Sequence, residues 1–258
     1  MPEPCFIRSP LLEKHGFHGI FSLRNGGVSQ APFASLNLAD DTGDNPDSVE
    51  KNLNILLRAA ALTGIPHRAV QVHGHQLLNC RGTGRMHRQQ ADILLSQDGS
   101  PVAVRIADCT PVLIADPLNN RCAAIHAGWR GTAQAVVVHA VEMLQDAGGN
   151  IDNFVASIGP CIGPCCFEIG QETAAELSQS CTDSANYIEQ KNGKIFADLA
   201  AINAQQLHNC GIHQQHIECI GGHQATCTRC HDERFFSFRR DGRHSGRHLA
   251  IVATKTPA

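Results

Sequence analysis

Between Pro101 and Leu144 the chain sets short apolar runs between tight breaks, and this stretch limits the possible folds most severely. PVAVRIADCTPVLIADP holds two apolar stretches interrupted at Asp108 to Pro111, and RCAAIHAG adds a third, rich in small and β-branched residues. Runs this short, bounded by Asp, Pro and Gly, predict buried strands rather than helices. GWRGTAQAVVVHAVEMLQDAGG then predicts a tight turn followed by an amphipathic helix. In it Ala135, Val138, Val141 and Leu144 recur at near-helical spacing, and Gly148 and Gly149 end the run. NFVASIGP predicts a further strand.

The remaining segments mix both element types. A helix is predicted to start near Pro46 to Ser48, with an acidic first turn, and to run to Gly64. A short strand around Ala69 to Val72 precedes a polar, Gly- and Arg-rich excursion from Arg81 to Gln90. Helices are expected near Gln171 to Gln179 and Leu199 to Cys210, with closing strands at IECIGG, RFFSFRR and HLAIVAT. The first 45 residues, rich in Gly, Asn, Ser and Asp, read as turns and loops. Strands and helices do not alternate strictly, so the expected class is α+β with a mixed sheet. No repeat, linker or charge block divides the 258 residues, and one domain over 1–258 is expected.

Composition excludes several classes of function. A hydrophobic content of 42% with 17% charged residues supports an ordered core. The net charge of −3 argues against non-specific nucleic-acid binding. No apolar run approaches the roughly 20 residues that span a membrane, so no membrane partner is expected. MPEPCFIRSPLLEKHGF lacks a signal-peptide layout, so a cytoplasmic location is expected. In such a setting the 12 cysteines read as reduced thiols with metal or catalytic uses, beside many small core fillers such as Cys5, Cys80 and Cys122.

Three residues fall where side chains can converge. His73, in QVHGH, follows a short apolar strand; Cys109, in ADCTP, sits at the break between two; His126, in AAIHAGWRG, ends a third. A His–Cys–His set is a borderline-soft site suited to zinc, with copper as the competitor, and three protein ligands leave a fourth position open. Each residue alone is equally at home as a hydrogen-bonded or buried structural group.

The surrounding motifs narrow this. QVHG, RIADCTPVLIADP, AAIHAGWRGT, SIGPCIGPCCFEIG and CTRCHDERFFSFRRDG stand in the order and rough spacing of the YfiH-like family, whose members are also called laccase-domain or polyphenol oxidase proteins. LRNGGVSQAPFASLNLADDTGDNP resembles that family's opening motif, so the resemblance covers about residues 17 to 246. The chain departs from it in FSLRNGG, where the family often has Thr-Arg, and in Phe167, where a Tyr is usual.

The resemblance implies one α/β/α-layered domain with a mixed sheet, and a single metal held by His73, Cys109 and His126. It also implies phosphorolysis of adenosine, inosine and 5′-methylthioadenosine, with adenosine deamination as a second activity. A small nucleoside and phosphate are then the expected partners, and a monomer or weak homo-oligomer the expected assembly. Arg130, directly before the predicted helix, and Arg24, in the LRNGG loop, are the phosphate candidates; each is otherwise a solvated or paired surface residue. Asp108, beside Cys109, is either a catalytic acid/base or a structural carboxylate that orients its neighbours.

Two other enzyme classes stay open. Copper-dependent polyphenol oxidation needs several H-x-H motifs, and His73-x-His75 is the only one here, so it ranks below nucleoside chemistry. Without metal, Cys109 and His126 make a nucleophile–base pair of the cysteine-hydrolase type, for which cell-wall precursors are the implied substrates. A binding module with a structural metal is the non-enzymatic alternative. Cys227-x-x-Cys230 has no C-x-x-C mate, so a structural zinc there is not expected; Cys161, Cys165 and Cys166 read as a supporting Gly/Pro turn. His75 stands near enough in sequence to swing toward the metal.

Overall fold

A computed structural model describes residues 5–255. Its centre is a six-stranded mixed sheet in the order Ile217–Cys219, Val155–Ile158, Thr110–Asp116, Arg121–Ala127, Ile93–Ser96 and Leu77–Cys80. The two outer pairings are parallel and the three inner ones antiparallel. Stacked on it is an antiparallel four-stranded sheet: Phe6–Arg8, Phe17–Ser22, His248–Thr254 and Val102–Ile106. A parallel pair, Arg68–Val70 with Met86–Gln90, and a three-stranded antiparallel sheet complete the strands.

Strict alternation of side chains sorts these strands into layers. Val112, Ile114, Ala123 and Ile125 face the helices Val136–Asp146 and Leu199–Asn209, while Leu113, Ala115, Cys122 and Ala124 face Phe21, Val104, Ala250 and Val252 of the second sheet. The far side of that second sheet packs Ile20, Ala103, Leu249 and Ile251 against Leu53, Leu56 and Ala60 of the helix Pro46–Ala60. Helices therefore flank strands on both sides, in the α+β class with mixed sheets, and the strand layer between them is two sheets deep.

Local chemistry explains most element boundaries. The Asn45 side chain accepts from Asp47 N and Ser48 N, Pro46 takes the first helical position, and the helix stops at Ala61 in a left-handed conformation, before Gly64. The helix predicted after GWRGT is two, Trp129–Ala133 and Val136–Asp146, broken by Ala135 at φ 54°. That break rotates the buried stripe to Val136, Val137, Ala140, Val141 and Leu144.

Three expectations are corrected. The first 45 residues contain two strands and the helix Pro10–Lys14: Phe17–Ser22 pairs with Phe6–Arg8 on one side and with the distant His248–Thr254 on the other. Met86–Gln90 is a strand inside the polar excursion, held by pairing to Arg68–Val70. RFFSFRR is not a strand: Phe235 and Phe236 are buried in a loop, and Phe238–Asp241 is a short helix capped by Ser237. Among the described residues no helix is long and apolar enough to cross a membrane.

Candidate active site

The hairpin Thr110–Asp116/Arg121–Ala127 builds the site. Its register pairs Thr110 with Ala127 and Pro111 with His126, which brings Cys109, one residue before the first strand, to the end where His126 leaves the second. His73 arrives from the loop after Arg68–Val70, in a left-handed conformation at φ 61°. The ligand atoms of His73, Cys109 and His126 all lie within 4.8 Å of one another, and the two imidazoles meet edge to face at 4.8 Å between centroids. The sequence-predicted triad is thus brought together in space.

Asp92 organises this group and was not singled out from sequence. Fully buried just before the strand Ile93–Ser96, it accepts from Val72 N at 3.1 Å, His73 N at 3.0 Å and Gly74 N at 2.8 Å, and its Oδ1 lies 2.8 Å from His126 Nδ1. One carboxylate therefore fixes both the His73 loop and the His126 ring. Because an ionised carboxylate only accepts, His126 Nδ1 carries the proton and Nε2 is left for a ligand. The signal in the sequence was a charge directly before an apolar run, QQADILL, which is common at strand starts and carries no hint of its partners.

Electrostatics favour an ionised pair. Burial pushes the Cys109 thiol up, but the His126 charge and hydrogen bonds from His126 and His73 outweigh it and bring the thiol down to about 6. Burial also disfavours a charged His126, yet the Cys109 thiolate and the Asp92 carboxylate raise it to about 9. A metal ion would displace the second His126 proton, and the donors would then be a thiolate and two imidazoles, with Asp92 as the orienting carboxylate. A Cβ on Gly128 would come within 2.8 Å of His73 Cδ2 and 3.2 Å of Cys109 Sγ, so only glycine leaves that side of the group open. These features fit a soft to borderline divalent ion with one open position, the arrangement of a catalytic zinc.

The triad lies in a cavity of about 410 Å³. Its walls carry Arg105, Arg239 and Arg247 together with Trp129, Phe167 and Phe238. Arg105 is paired with Asp40 at 3.3 Å and Asp41 at 2.9 Å; Arg247 donates to the carbonyls of Ser245 and Gly246. Arg239 is exposed, lies over the Phe167 ring, and among the described residues its side chain makes one hydrogen bond, to Glu168 O at 3.1 Å. Phe238 is 49% exposed, and the Arg247 guanidinium lies over its ring at 5.4 Å. Arg239 and Arg247 share the basic stretch FRRDGRHSGRH, whose charge is visible in the sequence, whereas Arg105 stands in an apolar strand that gives no sign of the cavity.

The other sequence candidates fall around this centre. Asp108, at φ 90°, lines the cavity but is engaged: Thr228 Oγ1 donates to one oxygen and Arg239 N to the other, both at 2.6 Å. Arg24 donates to Ala34 O and Asp232 O and lies over Phe236, outside the cavity lining. Arg130 is exposed and stacks on Trp129 at 4.3 Å, beside the lining. His75 does not join the triad; its Nδ1 meets Gln134 Oε1 at 2.9 Å, and its ring stacks on His139.

Residues 18–255 match the family described as "Multi-copper polyphenol oxidoreductase laccase". The chain is 38% identical over 232 residues to "Purine nucleoside phosphorylase YfiH" of Escherichia coli (strain K12), covering 90% of this chain and 91% of that one. It is 32% identical over 241 residues to a "Purine nucleoside phosphorylase" of Haemophilus influenzae, covering 91% and 93% respectively. The crystal structure of the hypothetical protein YfiH of Bacillus licheniformis superposes with a TM-score of 0.86, at 26% identity and 98% coverage of both chains.

Proposed function

This chain belongs to the multi-copper polyphenol oxidoreductase laccase family, the YfiH-like proteins, and from that premise we propose that residues 1–258 act as one catalytic domain, a purine nucleoside phosphorylase. The observation that carries the proposal is the composition of one cavity: a thiol–imidazole ligand set, cationic side chains and aromatic rings line the same space. Phosphorolysis makes those demands together. A phosphate oxygen bonds to ribose C1′, the C1′–N9 bond breaks, and its electron pair leaves with the purine.

Arg239 and Arg247 are suited to hold the phosphate, Arg239 above all because most of its donors are uncommitted. Phe167, Phe238 and Trp129 are suited to cover the purine ring. Asp108 acts by position: it holds Arg239 through the backbone and ties down Thr228, so we assign it orientation of the phosphate wall. Held by His73, Cys109 and His126, a metal, zinc in this reading, supplies a Lewis acid beside the reacting groups. Adenosine, inosine and 5′-methylthioadenosine are the substrates to try, and deamination of adenosine is the second activity to look for.

Two measurements test this. Purified protein is expected to release free base and ribose 1-phosphate only when phosphate is supplied; no phosphate-dependent release from any of the three nucleosides would sink the reading. Arg239→Met is expected to raise KM for phosphate by roughly 10- to 100-fold, about 1.4–3 kcal/mol for a lost charge-assisted contact, with a much smaller effect on KM for nucleoside. Equal effects on both constants would remove Arg239 from the phosphate site.

The ionised Cys109–His126 pair gives one specific reason to keep a thiol-hydrolase reading as the second. Thorough chelation separates the two, since the hydrolase keeps its activity and the metal enzyme loses it. The multicopper alternative has less support, because His75, the second histidine of the H-x-H pair, bonds to Gln134 and is not part of the triad.

A further inference from the structure

Outside this cavity, two sequence motifs that the proposed function does not use meet in space. Cys165 and Cys166, in the turn GPCIGPCC, face Cys227 and Cys230 of CTRC, and all four sulfurs lie within 4.8 Å of one another. Sequence spacing alone argued against a metal here, because Cys227-x-x-Cys230 had no C-x-x-C mate. The adjacent pair Cys165–Cys166 supplies the missing half from another loop. We propose that these four cysteines form a second metal site, a tetrathiolate centre for zinc that is independent of the His73–Cys109–His126 group.

Geometry and surroundings carry the assignment. A tetrahedral ion with metal–sulfur bonds of about 2.3 Å separates its sulfurs by roughly 3.8 Å. Cys230 Sγ lies 3.7 Å from Cys165 Sγ and 3.4 Å from Cys166 Sγ, close to that edge length and far beyond a disulfide bond of about 2.05 Å. Donors converge on the sulfurs as they do on thiolates: Gly163 N lies 3.3 Å from Cys227 Sγ, and Arg229 Nη1 lies 3.5 Å from Cys166 Sγ. A zinc with four thiolates carries a formal charge of about −2, which the guanidinium partly offsets. A Cβ on Gly163 would lie 3.3 Å from both Cys165 Sγ and Cys227 Cβ, so the backbone passes as close to the group as a glycine permits.

The other thiol–imidazole group lacks these features. His67 and His87 already satisfy each other at 2.8 Å, and the other His67 ring nitrogen lies 3.3 Å from Gly82 O, so that group is a packed hydrogen-bonded pair beside a buried thiol. The tetrathiolate has a clear structural task. Its two loops also carry Ile162 and Phe167 on one side and Thr228, the partner of Asp108, on the other, so the ion staples together two walls of the cavity. On loading, any remaining thiol protons leave to solvent and no redox change occurs.

The test uses the full chain purified under reducing conditions, with metal analysis and cobalt(II) as the spectroscopic probe. The double variant His73→Ala/Cys109→Ala is expected to retain one equivalent of zinc. Exchanged with cobalt, it should show the intense visible bands and sulfur-to-metal charge transfer of a tetrahedral thiolate complex. Cys230→Ser, at an exposed position that tolerates the change, should lose one equivalent while a triad-bound metal stays; Cys227→Ser, in the core, should lose it together with thermal stability. The assignment is overturned if the double variant is metal-free, if its cobalt form lacks thiolate bands, or if Cys230→Ser binds as much zinc as the parent. A Cys166–Cys230 disulfide that persists in place of the metal through purification under reducing conditions would overturn it equally. None of these readouts depends on nucleoside turnover, so they stand whether or not phosphorolysis is found.

Discussion

Cys109→Ala is expected to lower nucleoside phosphorolysis by about 10³-fold or more and to empty the triad of metal while the chain still folds. The reason lies in what the thiol contributes. Among the three ligands it alone supplies a negative charge, and the pull of its neighbours brings it down to about 6, so it is ionised at neutral pH. Two imidazoles without it form a far weaker site. A Lewis acid worth several kcal/mol is lost with the metal, and each 1.36 kcal/mol is tenfold in rate. Folding should survive because Cys109 is only half-buried and stands before a strand rather than inside one. Measurement of kcat/KM, metal content and melting temperature on one preparation decides it. A variant that keeps both metal and turnover refutes the triad. One that keeps base release but loses adenosine deamination restricts the metal to the second reaction.

The second large effect is expected at Asp92, through stability. Asp92→Ala should cost about 2–4 kcal/mol, because it removes a buried carboxylate that accepts from the part-buried amides of Val72, His73 and Gly74 and from His126, at roughly 0.5–1.5 kcal/mol for each hydrogen bond lost. Metal affinity should fall about 10- to 100-fold as His126 loses the partner that sets its tautomer. Asp92→Asn keeps one acceptor but turns a donor toward donors, so it should fall between the parent and the alanine variant. The acid response follows from the same contacts. Burial alone would raise the Asp92 pKa, but His126 and the backbone amides outweigh it and lower it. A carboxylate with a lowered folded pKa contributes fully above its unfolded value, near 4, and that contribution is lost as the pH falls through the lowered one. Urea unfolding at neutral pH and below pH 4 should therefore show the parent converging on Asp92→Ala as the medium is acidified. A difference below 1 kcal/mol at neutral pH would show that Asp92 does not hold the site together.

Much of this was legible in the sequence wherever the information was local. The strands around Cys109 and His126 announced themselves as short apolar runs, and their breaks placed the ligands at one end of a hairpin. The helix Pro46–Ala60 was legible from its cap and proline. What stayed hidden depended on distant partners. Phe17–Ser22 carries a histidine and a glycine and is a strand between Phe6–Arg8 and the distant His248–Thr254. Phe235 and Phe236 read as a strand by composition, yet they are buried in a loop, where Phe236 N donates to His248 Nε2. Arg239 and Arg247 share the basic stretch FRRDGRHSGRH, which reads as a solvated loop, and Arg105 comes from a distant strand, so no spacing rule gathers the three, whereas Arg24 and Arg130 drew attention because their own loops looked like anion sites. Cys165 and Cys166 paired with Cys227 and Cys230 in the same non-local way.

The strand register carries a consequence for how the chain acquires its site. Thr110 meets Ala127 across a short turn, whereas Ile20 meets Ile251 from more than ten times as far along the sequence. Closing the longer loop costs roughly 2 kcal/mol more in chain entropy, so on this ground the hairpin precedes the second sheet. Arg247 stands directly before His248–Thr254 and is locked in place with that late sheet. Cys109 and His126 are thus neighbours while the arginine wall is still unformed. Such a nascent chain holds part of its metal-binding chemistry before it has any means of choosing a substrate, and selectivity is the last property that folding confers.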